Sequence, residues 1–209
     1  MGNLVRTSII VPAFSLTQEQ RYQVHEQALW MAVDMAQKDQ AIHEYHYTAR
    51  SLTGLDFALT NMGWSETVTA TAGTTVATYE LSAINVSGNN AARRDRVIVV
   101  YGVMLGSSVD SVTSVRWIIG GARTHEWQFG SVFAADPYIQ SALDRTLYVY
   151  PPGPPGWIDP VQIPTGASVA VEVYVRGGTA VGIQAANLMF QGIVVEPIGG
   201  GGSGLSLGG

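Results

Sequence analysis

The chain has 209 residues, a formal net charge of −5 at pH 7 and 13% charged residues, about half the proportion usual in soluble domains. The length is enough for one sizeable hydrophobic core, and the acidic balance argues against a protein that wraps nucleic acid, which needs a basic surface. The chain has no cysteine, which excludes disulfides, iron–sulfur clusters and cysteine-based zinc sites. We expect no cofactor.

The charged residues are unevenly distributed along the chain. Three fall within residues 51–92 and four within 146–209, against nine within 1–50 and eleven within 93–145. The surfaces formed by the two charge-poor segments either lie in a core, carry neutral polar residues, or are covered by a partner. The third possibility arises because the cores of protein interfaces are depleted of charge. A neutral β-domain and a domain with covered faces both remain open at this stage.

The first predicted elements are an extended arm and a helix. Residues 4–14 indicate an arm or first strand closed by Pro12, and they lack the long apolar run of a signal peptide. A helix is predicted from Gln18 to about Gln40, because Thr17 can act as its N-cap and Gln20 completes a capping-box pattern. No stretch of the chain approaches the length and apolarity of a transmembrane helix.

One face of this helix is apolar. Its residues recur at spacings of three and four and are Val24, Ala28, Met31 and Met35, flanked by Leu29, Ala32 and Ala36. The face either packs on the chain's own β-domain or packs on a partner or a three-fold mate. In the second interpretation, Val24, Met31 and Met35 are candidate partner contacts.

After residue 50 the pattern changes to short strands separated by glycine and proline. The predicted strands cover residues 76–86, 97–101, 115–119, 122–133, 147–150, 168–176 and 183–196. The run 97–101 is apolar throughout, as in a strand buried on both faces, and 168–176 alternates between apolar and polar residues. Long connections over 134–146 and 151–164 favour a Greek-key or jelly-roll topology.

These elements predict a mainly β protein, with a jelly-roll-like antiparallel β-sandwich preceded by an N-terminal arm and one amphipathic helix. The predicted organisation is an arm and helix over residues 1–50, a β-sandwich over 51–197 and a Gly-rich tail over 198–209.

The histidines are the first candidates for chemistry. Asp39, His43 and His46 would share one face of a continued helix, which is workable metal geometry, but a polar helix terminus is the favoured interpretation. His125 and Glu126 point to opposite faces of a strand and cannot act together there without a bulge. No serine-hydrolase or phosphate-loop motif is present, so we predict neither a catalytic nor a metal site.

Two segments are candidates for contact with a partner. Prolines stiffen residues 150–157, and this extended loop either tucks Trp157 under the sandwich or presents it to a neighbour. The Gly-rich segment 199–209 is expected to act as a docking strap, because glycine is costly to order without an external surface to hold it. Leu205 and Leu207, its two apolar residues, are the predicted contacts.

The strands over 97–105 and 169–175, the closing run 188–197, the arm with its helix and the Gly-rich tail together resemble virion structural proteins of tailed bacteriophages. Capsid decoration (cement) proteins are the most similar class, followed by head–tail and spike components. The resemblance implies a non-enzymatic protein that oligomerises, commonly as a trimer, and reinforces a protein shell. It also implies other virion proteins as partners, the major capsid protein first, and a place in a virion assembled in the host cytoplasm.

Two other functions remain open from the sequence. A carbohydrate-binding β-sandwich of a tail or adhesin protein would use exposed aromatic platforms, for which Trp64, Trp127 and Trp157 are candidates. An enzyme on a jelly-roll scaffold is the third, although His125 has no companion histidine within the predicted strands. We expect neither nucleic acid nor a membrane as a partner.

Overall fold

The structure is a computed structural model of the chain. It describes residues 6–8, 10–39, 46–52, 65–69, 75–80, 96–105, 112–128, 146–149, 159–167, 169–175, 180–184 and 188–198. The strands within these ranges are β1 (Arg6–Ser8), β2 (Ile10–Pro12), β3 (Tyr47–Ser51), β4 (Ser65–Thr69), β5 (Thr75–Glu80), β6 (Val97–Leu105), β7 (Val112–Ile119), β8 (Ala122–Gln128), β9 (Thr146–Val149), β10 (Val161–Ile163), β11 (Val169–Val175), β12 (Ala180–Gln184) and β13 (Leu188–Pro197). A short 3-10 helix (Ala13–Ser15) and the helix α1 (Gln18–Lys38) lie between β2 and β3.

The strands form the two layers of an antiparallel β-sandwich, which confirms the predicted fold class. Sheet A has the order β1-β8-β7-β11-β5, and sheet B has the order β2-β9-β6-β13-β3 with β10 beside β6. A separate two-stranded sheet pairs β12 with β4. Among the pairs described, only β1 and β8 run parallel. Because β6, β7, β9, β11 and β13 alternate between the sheets, the chain crosses the core repeatedly, as a jelly-roll-like topology requires.

The start of α1 is as predicted. The Thr17 hydroxyl accepts a hydrogen bond from the Gln20 backbone N–H at 3.2 Å, and the Gln20 side-chain oxygen accepts one from the Thr17 N–H at 2.8 Å. This capping box satisfies two of the donors that a helix start leaves without partners. The helix ends at Lys38, two residues before the predicted end, and Lys38 pairs with Asp34 at 2.6 Å in its last turn.

The apolar face of α1 packs on sheet B of its own chain. Its fully buried residues, Val24, Ala28, Ala32 and Ala36, are spaced by four, and they contact a row on β6 and β13 that consists of Val97, Val99, Tyr101, Ile193 and Val195. Because three of the four buried helix residues are alanines, the helix backbone can lie close to the sheet. The intramolecular interpretation of the apolar face is therefore confirmed.

This packing changes the status of the predicted helix contacts. Val24 is 1% exposed in the chain's own core and is not available to a partner, so we withdraw it as a candidate contact. Met31 and Met35 are half-buried at the margin of the same core. The deep positions are taken by small residues because the helix backbone approaches the sheet, which leaves longer side chains at the edges.

Strand β6 is the centre of the molecule. Residues 97–103 are all buried, because one face of the strand meets α1 and the other meets the interior between the sheets. This confirms the prediction of a strand buried on both faces. The interior contains an aromatic cluster of Trp117, Trp127 and Phe190, with ring centroids 4.6 to 6.2 Å apart.

The structure differs from the sequence prediction at both edges of the sandwich. The arm is divided, because Arg6–Ser8 joins sheet A and Ile10–Pro12 joins sheet B. Residues 151–164 are not a simple connection, since Val161–Ile163 pairs with β6 as β10. The predicted strand over 122–133 is described only to Gln128, and that over 76–86 only to Glu80.

Candidate functional site

His125, the buried histidine of sheet A, and its neighbour Glu126 lie on opposite faces of the sheet. His125 faces the sandwich interior opposite Trp117, and its Nε2 lies 3.5 Å from the Asp159 Oδ1. Glu126 lies on the other face of the sheet, where its Oε2 accepts hydrogen bonds from Arg116 Nε at 3.0 Å and Nη2 at 2.8 Å. The prediction that His125 and Glu126 point to opposite faces is confirmed, so they cannot share one substrate.

A second ion cluster lies in sheet B, beside the start of β6. Glu196 on β13 accepts from Arg50 Nε at 2.7 Å through one oxygen and lies 2.9 Å from Arg96 Nη2 through the other. All three side chains are partly buried, so each charge depends on the others for compensation. Because β3, β6 and β13 are neighbours in sheet B, this cluster ties the edge strand to the centre of the sheet.

The metal geometry that a continued helix would have allowed, which the sequence pattern did not favour, has no basis in the described residues. The helix ends before Asp39, and His46 is an exposed residue immediately before β3, so the two do not share a helical face; His43 lies outside the described residues. No group of three or more potential metal ligands occurs among the residues that the structure describes. Within the same residues, no helix is both long and apolar enough to span a membrane.

A polar contact crosses the interface between α1 and sheet B. His25 Nδ1 lies 3.1 Å from the hydroxyl oxygen of Tyr101, and the two rings meet edge to face. Tyr148 lies beside Tyr101 with ring centroids 5.9 Å apart. Burial of the hydroxyl, with a smaller contribution from Tyr148, raises the pKa of Tyr101 to about 12. The contact joins the helix to the central strand β6.

This shift predicts a dependence of stability on alkaline pH. The folded state holds the Tyr101 proton up to about pH 12, whereas an unfolded tyrosine loses it near 10. The stabilising effect is therefore complete below pH 10 and is lost as the pH rises towards 12. We expect Tyr101→Phe to flatten this loss in urea unfolding measured across that range. The exposed control Tyr22→Phe should keep the wild-type slope, and an equal slope for Tyr101→Phe would contradict the assignment.

The large hydrophobic side chains that remain exposed lie mostly near the N-terminal half of the described chain. They are Phe14 at 45% exposure, Tyr22 at 62%, Trp30 at 69% and Ile198 at 66%. Tyr22 and Trp30 both lie on α1, two turns apart, on the face turned away from sheet B. A tryptophan so exposed in the middle of a helix contributes little to the chain's own core.

The outer face of α1 is the candidate functional site. Tyr22, Glu26 and Trp30 are spaced by four residues, so they form one ridge along the exposed side of the helix. The buried row on the opposite side holds the helix against β6 and β13. The ridge is thus presented on a rigid element, as expected for a surface that contacts another molecule.

The sequence prediction missed this ridge. Its signal was present, because Tyr22 and Trp30 fall on the polar side of the helical pattern, where large aromatic residues have no core to join. The candidate contacts Trp157, Leu205 and Leu207 lie outside the described residues, as does Trp64. Trp127 is 0% exposed and sits in the aromatic cluster, so it cannot form a carbohydrate platform.

Comparison of the chain with protein-family models, curated proteins and solved structures finds no match.

Proposed function

We propose that the protein is a non-enzymatic structural component of a virion that oligomerises and stabilises a protein shell, as a capsid decoration or head–tail protein. The observation that carries the proposal is the outer face of α1, where Tyr22 and Trp30 are exposed although the inner face of the same helix is fully packed. Tryptophan and tyrosine are the residues that most often dominate the binding energy of protein interfaces.

The packing of the described residues does not involve these two side chains to any large extent. Its core has buried residues on both sheets and on α1, and its partly buried carboxylates Glu126 and Glu196 have arginine partners. The exposed rings of Tyr22 and Trp30 therefore contribute little to the described core. Together with the low proportion of charge, this supports a protein that works through contacts with other chains, in the proposed case copies of itself and the major capsid protein.

The other functions receive less support. The carbohydrate-binding alternative loses Trp127, which is buried between the sheets. The described histidines are committed to structural contacts or lie at the surface apart from one another: His25 contacts Tyr101, His125 contacts Asp159, and His46 is exposed. We assign no catalytic role to them. The location that goes with the proposed function is a virion assembled in the host cytoplasm.

Self-association tests the proposal directly. We expect the full-length chain to sediment as a homo-oligomer, with a trimer as the expected state, and expect Trp30→Ala to raise its dissociation constant about tenfold or more. Removing residues 199–209 should also weaken assembly while leaving the melting temperature of the domain unchanged. The control is Gln23→Ala, another exposed position of α1. A full-length chain that stays monomeric at the highest soluble concentration would contradict the proposal.

A further inference from the structure

We propose that the ridge formed by Tyr22, Glu26 and Trp30 binds an arginine side chain on the surface of a partner protein. The inference rests on the proposed function in taking the outer face of α1 as a contact surface, and it goes further by assigning the chemistry of what docks there. We call these three residues the arginine ridge.

The spacing of the arginine ridge places a carboxylate between two aromatic rings. Residues four apart on a helix have Cβ atoms about 6 Å apart, and the whole ridge spans about 12 Å of the helix axis. Tyr22 and Trp30 are 62% and 69% exposed, so both rings are accessible from solvent. A planar cation of the size of a guanidinium group can lie against either ring and reach Glu26 at the same time.

Glu26 is the carboxylate that the fold leaves uncompensated on this ridge. Among the described residues, none forms a hydrogen bond or ion pair with it. The next carboxylate along the helix, Asp34, is neutralised by Lys38 at 2.6 Å. The nearby cation Arg21 is directed away, because its Nε donates to the Leu16 carbonyl at 3.2 Å. Within the described part of the chain, the ridge therefore presents negative charge that no cation balances.

This combination favours arginine over other cations and over anionic partners. A guanidinium group stacks on aromatic faces, is weakly hydrated and pairs with a carboxylate through two N–H groups, whereas a lysine ammonium is a compact and strongly hydrated charge. A cation over an indole ring is worth about 0.5–1 kcal/mol when exposed and more when desolvated. Nucleic acids and anionic membranes would be repelled by Glu26 and by Glu19 in the same half of the helix.

The packing of α1 lowers the loss of conformational entropy that binding would cause. Val24, Ala28 and Ala32 lock the inner side of the helix against sheet B directly beneath the ridge. Binding then immobilises only the three ridge side chains, of which the two aromatic ones have few rotatable bonds. The ridge is preorganised for a contact of one or a few arginines rather than for a broad apolar interface.

The test uses the full-length chain, kept below the concentration at which it self-associates so that the ridge is accessible, and short peptides that differ at one position. A Gly/Ser peptide with one arginine is titrated against peptides with lysine or citrulline in its place, and the readout is the NMR signal of the Trp30 indole N–H, assigned with Trp30→Phe. We expect the arginine peptide to shift this signal at millimolar concentrations, with an affinity at least about fivefold above that for the other two. Glu26→Gln should weaken binding about fivefold. Trp30→Ala, which lacks the reporter signal and is therefore followed through the NMR signals of the arginine peptide, should abolish binding.

Gln23→Ala serves as the control and should bind the arginine peptide as the wild type does. An absent shift, or equal affinity for arginine and citrulline, would overturn the inference. The outcome is separable from that of the proposed function. If the chain oligomerises but does not bind the arginine peptide, only the inference about the arginine ridge is contradicted. If a strictly monomeric chain binds the arginine peptide, the self-assembling role is contradicted and the inference about the ridge stands.

Discussion

Trp117→Ala is expected to lower the free energy of unfolding by about 3–5 kcal/mol, the largest loss for any single truncation in the described core. Trp117 is 0% exposed, and its ring centroid lies 5.4 Å from that of Trp127 and 4.6 Å from that of Phe190. These contacts join sheet A to sheet B, so the cavity left by alanine lies between the layers. Neighbours fixed in two different sheets can collapse into it only in part.

The measurement is urea unfolding of the full-length chain, with Trp30→Ala as the matched control. The same substitution at Trp30 removes an identical side chain from a position that is 69% exposed, and we expect a change within about 0.5 kcal/mol. If Trp117→Ala does not fold, the free energy of unfolding of Trp117→Phe, a smaller truncation at the same position, is measured instead. Among the described residues the buried Trp117 indole N–H has no hydrogen-bond partner, so phenylalanine loses volume but no polar contact within them. Equal losses for Trp117→Ala and Trp30→Ala would contradict the described core.

Gly192→Ala is expected to destabilise the protein by about 3 kcal/mol, because its surroundings leave no room for a Cβ atom. A Cβ at this position would overlap the Val99 carbonyl oxygen and would lie 3.2 Å from Leu52 Cδ2. The close approach arises where the pairing of β13 with β6 shifts register, between Gln191 and Gly192. The obstructing atom belongs to the backbone of the most buried strand, so relief requires the two strands to separate.

Thermal and urea unfolding would measure this loss, and a double variant separates its two causes. Adding Leu52→Ala removes the side-chain contact but leaves the Val99 carbonyl in place, so we expect no recovery of stability. Gln191→Ala, one residue earlier on the same strand, should cost less than about 1 kcal/mol. Recovery in the double variant would show that the side chain, rather than the backbone, excludes larger residues.

Local patterns were sufficient for the elements whose signals are short-range. The N-cap at Thr17 and the capping box with Gln20 depend on hydrogen bonds within one turn, and the helix begins where they predict. The continuous apolar run at the start of β6 and the alternation in β11 likewise predicted strands that the structure contains. Short strands such as β3, β4 and β10 were missed, because their residues carry no apolar periodicity long enough to recognise.

The candidate site was only partly accessible from sequence. The helical pattern identified an apolar face but could not say how deeply each residue lies, and the deepest positions proved to be alanines rather than Met31 and Met35. Tyr22 and Trp30 are exposed because the opposite side of α1 packs on sheet B, and this exposure is what makes them candidates for contact. That packing is a property of the folded chain, since it brings together segments more than sixty residues apart.

The amino-acid sequence by itself determined the mainly β class, the position of the helix and the absence of cysteine chemistry, because these depend on composition and on neighbours a few residues away. Only the tertiary structure decided which side chains are covered. It buried Val24, Trp117 and Trp127, paired Glu126 and Glu196 with arginines from other strands, and left Trp30 in solvent. Burial depends on contacts between distant segments, and such contacts leave no periodic trace in the sequence.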